Sequence, residues 1–193
     1  MGEEFSRPRG WTRRRALRLP VLGLPMVGLP ILGLTSATTA LSTDAIAAPS
    51  LAPFAGPPPG SVVIRMRERK LYLVLDGGQA IRYPVAVARP DKQWHGTVHI
   101  DGKYIEPAWM PPPDVKRDNP RLPDYIAGGA PDNPMGARAL TLSGDLYAIH
   151  GTTRRMRRSI GSYASYGCIR MLNEDIIDLY QRVRVGTPVT VVP

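Results

Sequence analysis

Short runs of β-branched, aromatic and other apolar residues recur along the chain from Ser61 onward, and turn-forming residues separate them. Such runs are typical of β-strands. Asp76, Gly77 and Gly78 lie between two of these runs and predict a tight reversal of the chain, as in a hairpin. The predicted strands cover residues 61–66, 70–75, 80–88, 96–101, 139–142, 146–150 and 187–192.

One helix is predicted, at about residues 174–183. Apolar residues from Ile176 to Val183 recur at the spacing i, i+3, i+4 and i+7, which places them on one face of a helix. Asn173 precedes this stripe and is a favourable N-cap residue. We therefore expect a mainly β domain, a compact sandwich or barrel, with one short helix packed against it.

A long irregular segment rich in proline separates two groups of predicted strands, between residues 103 and 138. Long irregular loops inside compact domains are often functional, so we expect an active-site loop here. Trp109 is followed closely by three prolines. Its ring is expected either to line a groove or to anchor the loop.

The first 47 residues have the pattern of an export signal. A basic segment at 12–18 is similar to a twin-arginine signal, an apolar segment follows at 19–34, and residues 45–47 fit a cleavage site. A retained membrane anchor is the alternative, but the apolar run is shorter than the roughly 20 residues that a span needs. We expect export to the periplasm or cell envelope, by the twin-arginine or the general route, with membrane contact only in transit.

Residues 48–60 are rich in proline, alanine and glycine and predict a linker, after which residues 61–193 form the domain. The formal net charge of the chain is +9. A basic surface favours polyanionic surroundings, and for an exported protein these are the cell wall and anionic lipids. The sequence shows no nucleic-acid-binding motif, so nucleic acid is not an expected partner. A basic run at 154–158 is expected either to guide an acidic peptide or to be a solvated loop.

Cys168 is the only cysteine of the chain, so an intrachain disulfide is excluded. A single cysteine in an exported protein suggests pairing between molecules or a reactive thiol, and a reactive thiol needs a base. His150 ends a strand-like run 18 residues before Cys168, and Gly167 lets the chain bend beside the thiol. The residue types alone leave open a buried, inert cysteine and a structural histidine.

The segment from His150 to Tyr180, which begins HGT and contains SYGCIRMLNEDIIDLY, resembles the signature of the L,D-transpeptidase catalytic domain, the YkuD-like fold. Residues 131–140, PDNPMGARAL, are similar to the P-x-NPLG-x-x-L segment of that family, and the similarity extends over residues 61–193. The resemblance implies a cysteine acyltransferase that acts on peptidoglycan stem peptides and requires neither a metal nor an organic cofactor.

The resemblance also assigns roles to individual residues. Cys168 is implied to be the nucleophile and His150 the general base. The backbone of Gly167, together with the amide of Cys168, is implied to stabilise the oxyanion, and the carbonyl of Gly151 is implied to orient His150.

Further contacts with substrate are expected from Ser165, Tyr166, Arg170, Thr152 and Trp109. Arg170 can instead form a structural ion pair with Asp175. Tyr166 stands where many members of the family have histidine, and this difference is expected to tune the pocket.

The implied reaction is a two-step acyl transfer through a thioester at Cys168. An amine of a neighbouring stem as acceptor gives an L,D cross-link, water gives an L,D-carboxypeptidase, and an envelope protein gives a tether to the wall. Two other hypotheses stay open. One is an inactive wall-binding module, favoured by Tyr166, and the other is a zinc-dependent hydrolase that uses His95, His99 and His150.

Overall fold

The computed structural model describes residues 48–144 and 147–193, so the predicted export signal at 1–47 lies outside the described residues. The strands are β1 (Ser50–Pro53), β2 (Val62–Arg65), β3 (Lys70–Leu75), β4 (Gln79–Pro84), β5 (Val87–Ala88), β6 (Gly96–Ile105), β7 (Arg138–Leu142), β8 (Ala148–His150), β9 (Tyr163–Ser165), β10 (Ile169–Arg170) and β11 (Pro188–Val192). The helices are α1 (Pro113–Asp118) and α2 (Asn173–Arg182), and short 3₁₀ turns occur at Pro90–Lys92 and Met156–Ser159.

Nine of the described strands form one mixed sheet in the order β1-β4-β3-β2-β11-β6-β7-β8-β10, while β5 pairs in parallel with β9. The strand β11 lies inside the large sheet, parallel to β2 and antiparallel to β6. It therefore joins the first group of strands, β1 to β4, to the group that contains β8 and β10. The prediction of a mainly β fold is confirmed.

The helix α2 packs against the sheet next to β7 and β8. Ile176 and Leu179, both fully buried, lie in the same core cluster as Leu140 of β7 and Ile149 of β8. Burial of each such side chain stabilises the fold by roughly 1.5–3 kcal/mol. The predicted amphipathic helix is confirmed within one residue at each end, and its packing fixes the position of β8, which ends at His150.

Part of the segment predicted to be a linker is a strand. The strand β1 pairs antiparallel with β4 at the edge of the sheet and ends at Pro53. Proline is tolerated there because an edge strand can lack a backbone N–H without losing a hydrogen bond of the sheet. Phe54 follows and is buried against Tyr72, with ring centroids 4.9 Å apart. The ring of Phe54 thus attaches this segment to the outer face of the sheet.

The proline-rich segment is more ordered than its sequence pattern indicates. It contains α1, which begins at Pro113, where the fixed φ of proline suits the first turn and no amide bond is lost. Asn133 is buried, and its side-chain amide donates to the carbonyls of Pro107 and Ala127 at 2.9 Å while its oxygen accepts from the Met135 amide at 2.9 Å. Neither helix of the described ranges is long and apolar enough to span a bilayer.

Candidate active site

A cleft with a volume of about 1050 Å³ lies between the proline-rich segment and the ends of β8 and β10. Its lining includes six of the nine residues for which the sequence predicts a role, namely His150, Cys168, Ser165, Tyr166, Arg170 and Trp109. Gly151, Thr152 and Gly167 do not line it. Trp109 both lines the cleft and anchors the loop, because its backbone pairs with Ile126.

The pairing of β8 with β10 brings the segment that carries Cys168 next to His150. The strands β8 and β10 are parallel neighbours, and Arg170 lies opposite His150. Cys168 lies one residue before β10, and the amide of Ala148, two residues before His150 in β8, hydrogen-bonds its thiol. In the described structure the thiol and the imidazole are not hydrogen-bonded to each other, although both side chains line the cleft.

His150 is held in one orientation and stays neutral. Its Nδ1 lies 2.8 Å from the carbonyl oxygen of Gly151, to which it donates, so that Nε2 is left as the proton acceptor. Burial of the imidazole and the positive charge of Arg170 lower the pKa of His150 to about 4, against the opposing effect of the Gly151 and Pro134 carbonyls. The contact with Gly151 is the one that the family resemblance implies.

The surroundings of Cys168 favour its thiol form over the thiolate. Burial raises the pKa of Cys168, and the amide of Ala148 and the positive charge of Arg170 offset this rise in part. A raised thiol pKa beside a lowered imidazole pKa favours a neutral pair over a preformed thiolate–imidazolium pair. Such a pair suits removal of the proton by the imidazole during attack.

The turn that carries Cys168 is clamped by Ser165. The Ser165 hydroxyl donates to the Cys168 carbonyl at 2.5 Å and accepts from the Gly167 amide at 3.1 Å. The Gly167 amide is therefore occupied, and the expectation that it helps to stabilise an oxyanion does not fit this arrangement. Gly167 has a φ of 138°, and a Cβ at this position would overlap the ring of Tyr147. Glycine is needed here for conformation and for space.

The model for the L,D-transpeptidase catalytic domain family, YkuD, matches residues 59–191. The chain belongs to this family.

Relatives named as L,D-transpeptidases agree with this assignment. The probable L,D-transpeptidase ErfK/SrfK of Escherichia coli K12 is 34% identical over 140 residues, which make up 68% of this chain and 43% of that protein. The putative L,D-transpeptidase YqjB of Bacillus subtilis is 35% identical over 143 residues, 70% of this chain and 73% of that protein. The similarity thus spans less than half of ErfK/SrfK and most of YqjB.

Solved structures share the fold. An L,D-transpeptidase from Mycobacterium smegmatis superposes with a TM-score of 0.54 at 18% identity, covering 68% of this chain and 58% of that one. A Brucella melitensis structure described as a probable carnitine operon oxidoreductase, caia, has a TM-score of 0.51 at 39% identity and covers 78% of this chain and 97% of that one. The first of these likenesses bears on the fold alone.

Asn173 is a residue of the L,D-transpeptidase domain whose role was predicted wrongly. The helix α2 begins at Asn173, and its side chain does not cap the helix. Instead its Oδ1 accepts from the amides of Ala137 and Thr152, both at 3.0 Å, and a Cβ on Gly136 or Gly151 would overlap it. Asn173 thereby joins the loop after His150 to the segment similar to NPLG. The signal in the sequence that could have indicated this close packing was the presence of a glycine in each of the two segments, Gly136 and Gly151.

Thr152 does not have the predicted contact with substrate. It is 1% exposed, its amide is bonded to Asn173, and its hydroxyl is buried without a hydrogen-bond partner in the described structure. The HGT motif of the L,D-transpeptidase domain thus turns the chain inward after His150.

Arg170 faces the cleft, and the predicted alternative of an ion pair with Asp175 is wrong. In the described part of the chain no carboxylate lies within 4 Å of the Arg170 guanidinium, and its Nε is buried without a partner. Asp175 is 2% exposed, and burial and the negative charges of Glu174 and Asp178 raise its pKa to about 6. The two groups are thus separate features of the domain.

Tyr166 connects the turn before Cys168 to α1. Its hydroxyl donates to the Asp118 carboxylate at 3.0 Å, and the Arg89 guanidinium lies 4.0 Å from the centre of its ring. A histidine would not reach as far as this phenol. The position that differs from many family members therefore contributes to holding the wall of the cleft.

The histidines of the zinc hypothesis are not gathered at one site. His95 and His99 do not line the cleft that contains His150. Across residues 48–144 and 147–193, no three side chains of the kinds that ligate metals are grouped closely enough to hold an ion. Within these ranges the geometry therefore does not support a zinc site built on His150.

Proposed function

We propose that this protein is an exported L,D-transpeptidase that transfers acyl groups of peptidoglycan stem peptides through a thioester at Cys168. The observation that carries the proposal is that Cys168, just before β10, and His150, at the end of β8, both line one cleft that is large enough for a peptide. Membership of the L,D-transpeptidase family supplies the reaction class.

In the first step the Nε2 atom of His150 takes the thiol proton while Sγ of Cys168 attacks the carbonyl of the L-centre before the terminal D-residue. Catalytic hydrogen bonds are often long in the free enzyme and shorten when substrate binds, so the resting geometry is compatible with this step. Negative charge develops on the carbonyl oxygen, for which the Cys168 amide is a donor. The imidazolium returns the proton to the leaving amine, and a thioester remains.

In the second step an acceptor attacks the thioester and His150 again moves the proton. A side-chain amine of a neighbouring stem yields an L,D cross-link, which is the outcome we propose. Water would yield a shortened stem, and an amine on an envelope protein would yield a tether. We further propose that residues 1–47 direct the chain to the periplasm, where these substrates lie.

The test is acylation of the thiol by imipenem, a compound present in one solved L,D-transpeptidase structure. Mass spectrometry should show a single adduct on the wild type and none on Cys168→Ala, with a large loss of rate for His150→Ala. His95→Ala is the matched control, since this histidine lies outside the cleft, and it should react normally. An unreactive but folded wild type would overturn the proposal.

The acceptor is distinguished by analysis of the muropeptides of cells with and without this protein. L,D cross-links between neighbouring stems should increase with the wild type and not with Cys168→Ala. Shortened stems in place of cross-links would assign the carboxypeptidase reaction, and protein-linked stems would assign the tether.

A further inference from the structure

The basic run between His150 and Cys168 is divided in two by the fold. Arg157 is turned toward α2 and forms two hydrogen bonds to the Glu174 carboxylate, at 2.8 and 2.9 Å. Arg154 and Arg155 instead line the cleft and are exposed. Within the described residues, neither of these two guanidinium groups has a carboxylate within 4 Å. Arg154 and Arg155 thus face the cleft without an ion pair, whereas Arg157 is paired away from it.

The charged side chains that line the cleft carry a net positive charge. Five cationic side chains line it, against two carboxylates. The cationic residues are Lys92, Arg117, Arg154, Arg155 and Arg170, and the carboxylates are Asp114 and Asp132. Asp114 is itself bonded to Lys92 at 3.2 Å, so that it neutralises a charge on its own side of the cleft. An anion that enters the cleft therefore meets a net positive potential, which low-dielectric walls strengthen.

We propose that Arg154 and Arg155 form a carboxylate-binding subsite that recognises an acidic acyl-donor stem at a carboxylate away from the reacting bond. The proposal rests on the proposed function and names the substrate class of that same cleft. Guanidinium groups suit this task because they bind carboxylates through two parallel hydrogen bonds. A stem peptide whose isoglutamyl carboxylate has been converted to an amide lacks the charged group that these guanidinium groups would bind.

The binding test uses the full chain carrying Cys168→Ala, so that no acyl transfer occurs. The probe is a synthetic tetrapeptide stem with either a free isoglutamyl carboxylate or the corresponding amide. The free acid should bind about threefold to tenfold more tightly than the amide at low salt, from two exposed charge-assisted contacts, and this preference should shrink as salt is raised. In a protein that also carries Arg154→Ala and Arg155→Ala the preference should disappear.

Arg158→Ala is the matched control. Arg158 belongs to the same basic run and is exposed, but it does not line the cleft; its removal lowers the net charge by one, as the removal of either cleft arginine alone does. This variant should keep the preference for the free acid. Equal binding of acid and amide by the parent protein, or an equal effect of Arg158→Ala and of the two cleft substitutions, would overturn the proposed subsite.

Failure of the subsite and failure of the proposed function give different results. If imipenem acylates Cys168 but acid and amide stems bind equally, the reaction stands and the subsite falls. If the stem acid binds through Arg154 and Arg155 but the thiol is inert toward both imipenem and stem, the subsite stands in a binding module. Melting curves of each variant show that differences in binding do not come from unfolding.

Discussion

The buried charge of Asp175 destabilises the folded state, and a single substitution should remove this effect. Its carboxylate lies in the first turn of α2, 2% exposed, with Oδ2 buried and without a hydrogen-bond partner in the described structure. Burial first, and then the negative charges of Glu174 and Asp178, raise the pKa of Asp175 from its ordinary 3.8 to about 6. Asp175→Asn keeps the size of the side chain and removes its charge, so it isolates the electrostatic contribution.

The magnitude follows from the two pKa values. A pKa of about 6 in the folded state against 3.8 in the unfolded state corresponds to a destabilisation of about 3 kcal/mol at pH values above 6. Asparagine loses the favourable interaction of a carboxylate with the helix N-terminus, about 0.3–1 kcal/mol. We therefore expect Asp175→Asn to raise the free energy of unfolding by about 2 kcal/mol at pH 7.5.

The raised pKa of Asp175 determines in which direction the stability of the wild type changes with pH. Below pH 3.8 both states hold the proton and the carboxyl group costs nothing. Between pH 3.8 and about 6 the folded state retains a proton that the unfolded state releases, so the stability of the wild type falls as the pH rises. The lowered pKa of His150 acts in the opposite direction but is common to both proteins and cancels in their difference.

Urea unfolding of wild type and variant at pH 4 and pH 7.5 measures this difference. The variant should gain at pH 7.5 and show little change at pH 4. Glu174→Gln is the control, because Glu174 is the adjacent residue but is exposed and paired at the surface with Arg157; its effect should stay below about 1 kcal/mol. A gain that is independent of pH, or a loss at pH 7.5, would refute the electrostatic reasoning.

Three further predictions concern the thiol turn and its surroundings. Because the pKa of His150 is lowered to about 4, acylation by imipenem should stay nearly level from pH 7 to 5 and fall below about pH 4, in stopped-flow measurements; a midpoint near 6.5 would contradict the buried neutral base. Gly167→Ala should abolish acylation and lower the melting temperature. Gly161 also has a positive φ, but a Cβ added there has no atom within 4 Å, so Gly161→Ala should lower the melting temperature less. Equal losses would exclude the steric explanation. Asn173→Ala should cost about 2–4 kcal/mol in urea unfolding by leaving two amides unpaired, against less than about 1 kcal/mol for the exposed Asn119→Ala.

Most of the fold was accessible from the sequence because local patterns determine it. The run at 70–75 is rich in β-branched and aromatic residues, and the helix near 174–183 has a period of 3.6 residues; the structure shows both within a residue of the predicted bounds. The helix α1 was missed because consecutive prolines conceal a first turn that they in fact favour. The strand β1 was missed because its pairing with β4 depends on a sheet edge that composition does not reveal.

The site was accessible only in part. Residue types and a family resemblance selected Cys168 and His150, but the parallel pairing of β8 and β10 that brings the two residues to one cleft is a tertiary feature. The same limit explains Asn173, whose local position indicates a helix cap while its oxygen is used by two distant amides. The division of the basic run into paired and unpaired arginines likewise depends on where α2 lies.

The central position of β11 constrains how the chain acquires its structure. Residues 188–192 are the only hydrogen-bonded link, within the described sheet, between β2 and β6. During synthesis, the group of strands β1 to β4 therefore cannot pair with the group that contains β8 and β10 until these residues have left the ribosome. Contacts this distant along the sequence slow folding and leave strand borders unpaired in the meantime. A nascent chain halted before position 188 should accordingly depend on chaperones, because its two groups of strands have not yet been joined.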